Sequence, residues 1–219
     1  MALLNKAMEP QYATSILSWS EAWAIRSFKT KTVIALALVA IILLALPYFF
    51  AFIEKREGMV LQDYVLDAIP PMDVSAPTFV VIWSMVLLVF YRMFQNPRLF
   101  LVIAYGFILL CLCRILTISL LPLNPPPGLM ALKDPIANIV YGGKGVFITK
   151  DLFYSGHTGN MFLFYLCLQA KWDKIFALTA SFLVGILVMV QHIHYSIDVI
   201  AAFIFTYFIY LAAKKVAFF

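Results

Sequence analysis

Charge is scarce in this chain. Only 12% of its 219 residues are Asp, Glu, Lys or Arg, while 64% are hydrophobic and the mean hydropathy is +0.95. A soluble domain of this length carries about twice that share of charge, so composition excludes one and points to an integral membrane protein. Cysteine is also scarce. Cys111, Cys113 and Cys167 all fall inside apolar segments, where they read as small buried hydrophobes, which leaves out a disulfide framework and makes redox chemistry a poor fit. Glycine clusters only at Gly142-Gly-Lys-Gly145, which lacks the GxxxxGK[ST] spacing and a preceding strand, so a flexible loop is a better reading than a nucleotide cradle. There is no internal repeat and no low-complexity tract, and no small-residue cleavage site follows the first apolar run. The chain is therefore read as a single membrane domain over 1–219, with an N-terminal interfacial segment over 1–31 and a catalytic core over 32–219.

What the chain does have is long apolar runs, at roughly 32–53, 77–95, 99–121, 157–170, 175–193 and 195–213. Runs of this length suit a hydrocarbon layer of about 30 Å, the fourth being short enough that it must extend into its flanks. The expected fold is an all-α integral membrane protein with six transmembrane helices. Trp19, Trp23 and Arg26 recur at helical spacing and predict an N-terminal interfacial helix ahead of the first span.

Six spans place the N-terminus, the second and fourth connections and the C-terminus on one side. That side holds Lys6, Arg26, Lys29, Lys31, Arg92, Arg98, Lys171, Lys174, Lys214 and Lys215, against Lys55, Arg56, Lys133, Lys144 and Lys150 on the other. The asymmetry makes the first side cytoplasmic, and it explains the net charge of +5 as a topology signal rather than a nucleic-acid patch. The expected setting is the bacterial inner (plasma) membrane, with both termini cytoplasmic.

The polar residues that remain in apolar surroundings are few and fall together. His194 and Asp198 are spaced i, i+4, so on a helix the carboxylate stands beside the imidazole and can fix its tautomer. A buried pair that only satisfies itself is the ordinary alternative, but a carboxylate opening an apolar span is costly enough to mark a functional site. His157 at the start of the fourth span and Arg114 near the end of the third come out on the same non-cytoplasmic face. Two histidines, a carboxylate and a guanidinium at one depth suit a phosphate ester: Arg114 grips the oxygens, one histidine attacks and the other handles the leaving group's proton. Ser155 and Gly156 open a helix whose free N–H groups favour an anion. His192 reads as an interfacial histidine, because two histidines two apart on a helix point in different directions. No metal and no cofactor are expected.

Asp151-Leu-Phe-Tyr-Ser-Gly-His157-Thr together with His194-Tyr-Ser-Ile-Asp198 resembles the lipid phosphatase/phosphotransferase superfamily of type 2 phosphatidic acid phosphatases. The fuller text, with Pro70-Pro-Met-Asp73 and Arg114-Ile-Leu-Thr117 followed by Leu121-Pro122, is similar to its sphingomyelin synthase branch. The resemblance implies six spans with the site facing away from the cytosol. It also implies a membrane phospholipid donor and a lipid alcohol or water as acceptor. His194 would attack phosphorus, Asp198 would orient it, His157 would protonate the leaving oxygen, and a phosphohistidine would form between the two steps. Asp151 matches an acidic position that could tune His157, while Asp73 matches without a role that its residue type suggests. Where the phosphatases of the superfamily carry Lys-x6-Arg-Pro and a further Arg, this chain has Arg114, Leu121 and Val188. Two phosphate-gripping cations are thus missing, which favours a phosphodiester over a phosphomonoester. Three functions stay open at this stage: a head-group transferase, a hydrolase of the same mechanism such as a lipid phosphate phosphatase, and a transporter or scaffold. The sequence discourages only the last, because the charges gather at one interface. The oligomeric state is not legible.

Overall fold

The computed structural model describes residues 17–132 and 148–217. Eight helices occur among them: α1 Trp19–Ala24, α2 Arg26–Glu54, α3 Tyr64–Asp67, α4 Ser75–Gln95, α5 Pro97–Leu120, α6 Gly156–Cys167, α7 Lys171–Val190 and α8 Ser196–Ala217. Five of these, α2, α4, α5, α7 and α8, are long and apolar enough to cross a membrane. Helix α6 is not. Its 12 residues give a length of about 18 Å. It does not extend into its flanks as expected, because Ser155 caps it at one end and extended backbone at Leu168 stops it at the other.

The helix boundaries follow from local chemistry. Asn96 separates α4 from α5; its side chain accepts from the Arg98 and Leu99 N–H groups, and Pro97 stands at the first helical position, where its missing N–H costs nothing. Helix α1 carries a reciprocal cap between Ser18 and Glu21. Lys174 reaches back to the carbonyls of Tyr165 and Leu168 at the end of α6, offering charge to unsatisfied acceptors.

The long helices alternate in direction, so that their ends gather at two poles. At one pole Arg92 of α4 pairs with Asp173 of α7 at 2.7 Å, and Lys31 of α2 donates to the Val216 carbonyl of α8. At the other, Glu54 at the end of α2 accepts from the Thr149 and Lys150 N–H groups, and Gln191 after α7 donates to Ser75 at the start of α4. In lipid, apolar side chains gain little by leaving the hydrocarbon, so packing and such polar ties hold helices together. One buried layer joins Met85 and Val89 to Leu163, Val184 and Val188, between α4, α6 and α7; another joins Phe28 and Ala35 to Leu101, Tyr105 and Ala213, between α2, α5 and α8. The outer faces are exposed and apolar, as at Leu44, Leu87, Phe182 and Phe208, which suits a lipid surround.

The two long connections, 55–74 and 121–155, are stitched together at the second pole. Met59 N–H donates to the Pro122 carbonyl, Asn124 N–H to the Met59 carbonyl, and the Asn124 amide to the Gly58 carbonyl. The strands lie so close that a Cβ at position 58 would stand 2.5 Å from the backbone of Leu123, so only glycine fits. The Gly142–Gly145 cluster, Lys133 and Lys144 lie outside the described residues.

Candidate active site

Four chain segments converge under these stitched connections: the last turns of α5, the start of α6, the turn after α7 and the start of α8. They meet at the polar end of a cavity of about 910 Å³, where Arg114, Asp151, Gly156, His157, Asn160 and His194 line the wall.

The His194–Asp198 pair is built differently from the helical side-by-side arrangement that its spacing suggests. His194 precedes α8, and the Tyr195 carbonyl accepts from Val199 N–H, which makes Tyr195 the N-cap. Asp198 sits at the third helical position, and its Oδ2 turns back to accept the Tyr195 N–H at 3.1 Å. This is half of a capping box, with an acid at the positive end of the helix dipole. The carboxylate fixed in this way also faces His194 Nδ1 at 3.2 Å. Asp198 is fully buried and His194 nearly so. With Nδ1 engaged, Nε2 is the nitrogen left for chemistry. Asp198 Oδ1 is buried without a hydrogen-bond partner among the described residues, so the carboxylate keeps a lone acceptor beside the ring.

His157 enters from the first turn of α6. Its ring centroid lies 6.5 Å from that of His194, with the planes at 65°. Ser155 Oγ caps the helix through Thr158 N–H, and Ser155 N–H donates to the Asp198 carbonyl, which ties the start of α6 to the start of α8. Gly156 and His157, in the first turn of α6, line the same end of the cavity, at the positive end of the helix dipole.

Arg114 is held on two sides. Its Nε donates to the Tyr154 carbonyl at 2.8 Å and its Nη2 to Asp151 Oδ1 at 2.7 Å. Nη1 lies over Gly156, where an added Cβ would come within 2.3 Å of it. Glycine is therefore the space through which the guanidinium reaches the helix start. Asp151, matched by the resemblance to an acid that could tune His157, is bonded instead to Arg114, and this ion pair offsets the charge of the guanidinium.

Neither substituted family position supplies a cation. Val188 is buried in the apolar layer between α4, α6 and α7, and Leu121 is exposed at the end of α5. Lys150 donates its ammonium to the Arg56 carbonyl. Asp73 accepts from the N–H and hydroxyl of Ser75, a capping role at the start of α4 that gives the motif around it a structural purpose.

Sequence reasoning missed the supports. His192, expected at the interface, is buried there against the long connections. Its φ is +55°, and its N–H bonds to the Met189 carbonyl while Ile193 N–H bonds to Val188, so it occupies the left-handed position of a Schellman cap usually filled by glycine. The side chain explains the exception. Nδ1 lies 2.7 Å from the Pro127 carbonyl and Nε2 2.8 Å from the Ile69 carbonyl, so one ring joins both long connections to the turn that carries His194, and neither nitrogen is left for a metal. Both contacts are hydrogen bonds only when both nitrogens are protonated. His192→Ala is expected to cost about 1–3 kcal/mol in unfolding, the usual result of stranding buried acceptors. His192→Gly should recover part of that by relieving the backbone. Thermal unfolding of the two variants in detergent checks this.

Tyr195 and Asp63 complete the frame. The Tyr195 hydroxyl accepts from Leu61 N–H and donates to the Asn124 carbonyl. Asp63 caps α3 through Val65 and Leu66 and also accepts the Ser196 N–H at 2.6 Å and its hydroxyl at 3.0 Å. Partial burial acts to raise its pKa, but the donors from Ser196, Leu66 and Val65 outweigh it and hold the carboxyl below the usual aspartate range. The one sequence signal for Asp63 was its place before Tyr64-Val-Leu-Asp67, an acid opening a short helix.

Residues 150–215 match the PAP2 superfamily C-terminal family, a segment that carries Asp151, Ser155, Gly156, His157, His194 and Asp198. The match supports the type 2 phosphatidic acid phosphatase superfamily, and with it a lipid phosphatase or phosphotransferase class of membrane enzyme. No curated protein matches the chain significantly.

Proposed function

We propose that the protein is a phospholipid head-group phosphotransferase of sphingomyelin synthase type. The observation that carries this reading is the facing pair of histidines, one held by a buried carboxylate, beside a guanidinium at the polar end of an otherwise apolar cavity. His194 Nε2 attacks the phosphorus of a phosphodiester donor. The bond from phosphorus to the diacylglycerol oxygen breaks, and His157 gives that oxygen its proton. A phosphohistidine is left. His157, now neutral, takes the proton of a ceramide or diacylglycerol-like hydroxyl, or of water, whose oxygen attacks phosphorus and frees His194. Asp198 stabilises the imidazolium form and fixes the ring. Arg114 and the first turn of α6 hold the non-bridging oxygens.

Charge supports a diester substrate. Arg114 shares its charge with Asp151, and the positions that carry further cations in the phosphatases hold Leu121 and Val188. One negative charge is matched by this set better than two. Incubating pure protein with a fluorescent ceramide and mixed phospholipids, followed by thin-layer separation, tests the reaction. Transfer of the head group to ceramide, or release of diacylglycerol alone, distinguishes the acceptors; neither product would refute the reading.

For the membrane, we propose six crossings, with α6 and its short flanks as the fourth, and the site on the non-cytoplasmic face. The strict alternation of helix ends and the basic asymmetry support this. A cysteine placed at Gln62 should react with an impermeant reagent from outside, and one at Trp172 should not. The reverse pattern would put the site in the cytosol.

A further inference from the structure

The cavity that begins at the histidines continues far down the molecule. Helix α2 and helix α4 both pack on α5, and between them the apolar wall runs from Arg114 through Cys111, Phe107 and Ala104 to Phe100. Fourteen residues of helix separate Arg114 from Phe100, a depth of about 21 Å, which is more than one leaflet's share of a roughly 30 Å hydrocarbon layer. Leu36, Leu43 and Phe90 line the cavity and are also exposed, so the groove opens sideways toward lipid.

At the far end, the first helix packs against the helices that form the groove. Trp19 donates its indole N–H to the Phe94 carbonyl at the end of α4 at 2.8 Å. Its ring packs edge-on against Phe100 of α5 at 5.6 Å and Phe28 of α2 at 5.9 Å. One side chain thus bridges the three helices that form the groove, under the ring of Phe100 that forms its floor. Helix α1 is then more than an interfacial anchor.

We infer that this groove selects the phospholipid donor by acyl length, with Phe100 and Trp19 as the floor. The inference rests on the lipid-substrate reading above and specifies which donors that site takes. The phosphate at Arg114 and the glycerol take up roughly 6 Å of this depth; with carbon–carbon bonds of about 1.5 Å an extended chain advances roughly 1.3 Å per carbon, so the remaining roughly 15 Å suits about twelve carbons. The surrounding bilayer is as apolar as the groove and supplies no driving force for burial, so selection comes from fit. A chain that reaches the floor fills the groove without a void, and a longer one must bend out between α2 and α4. Ala104 lies ten residues, about 15 Å, from Arg114. A phenylalanine there blocks the lower part while leaving room for an eight-carbon chain.

The test is mass spectrometry of lipid retained by the purified full chain after incubation with an equimolar mixture of phosphatidylethanolamines bearing eight-, twelve- and twenty-two-carbon chains. The wild-type protein should retain the twelve-carbon species over the twenty-two-carbon one by at least about threefold. Ala104→Phe should shift the ratio of eight to twelve carbons by about tenfold, and Phe100→Ala should raise the share of the longest chain. Retention that ignores chain length, or that is unmoved in both variants, overturns the inference. Head-group release measured on the same samples reports separately on the enzyme: chain-selective retention without turnover would sink the proposed reaction and leave the groove standing.

Discussion

His194→Ala should lower turnover at least about a hundredfold while leaving a folded, monodisperse protein. The reason lies in how the residue is placed. His194 stands in the turn before α8, so the helix and its cap do not depend on its side chain, and Asp198 keeps its bond to the Tyr195 N–H when the imidazole is gone. Near-normal activity in His194→Ala would show that the nucleophile is elsewhere. Asp198→Ala should be equally damaging to turnover but less clean, because it removes both the partner of Nδ1 and the acceptor that closes the first turn of α8. His157→Ala should block turnover to a similar degree through the proton it no longer carries.

The second large effect comes from a residue with no side chain. Gly156→Ala puts a methyl group 2.3 Å from Arg114 Nη1, a distance no Cβ contact tolerates. The guanidinium cannot simply slide away, because Nε and Nη2 are tied to the Tyr154 carbonyl and Asp151. Either those bonds break or the start of α6 shifts, and both move a phosphate-holding group from its place. A loss of about a hundredfold in turnover is expected, comparable with removing one preorganised donor from an oxyanion site. Arg114→Ala in the Gly156→Ala background should then add little, because both changes act on one interaction. Additive losses in the double variant would separate the two residues.

Much of this was legible beforehand, and the reason is the bilayer. Apolar runs long enough to span it are a strong signal, so five expected spans return as helices long and apolar enough to cross a membrane, within several residues of their expected ends. The fourth returns shorter, because Ser155 and Leu168 stop α6 at both ends, a matter of caps rather than hydropathy. The candidate residues were found by spacing and charge, and the structure brings His157, His194, Asp198 and Arg114 together. Spacing misjudged the local geometry of the His194–Asp198 pair, and the resemblance misjudged the partner of Asp151. The His194–Asp198 pair forms through a helix cap rather than along a helix face, and Asp151 serves Arg114. Of the supports at Asp63, Gln191, His192 and Tyr195, only Asp63 left a sequence signal, as an acid opening a short helix, and none showed its distant partner. Each is defined by partners 60 to 134 residues away in the long connections, and periodicity carries no information about those.

Handling of a phosphodiester by a site with one shared guanidinium and two histidines is what the proposed reaction depends on. It is tested most directly by comparing, at matched detergent mole fraction, diacylglycerol release from phosphatidylethanolamine or phosphatidylcholine with phosphate release from phosphatidate. The diester should react faster, with or without an alcohol acceptor, because its single negative charge fits what Arg114 and the start of α6 provide. A preference for phosphatidate of tenfold or more would contradict the account and make the protein a lipid phosphate phosphatase.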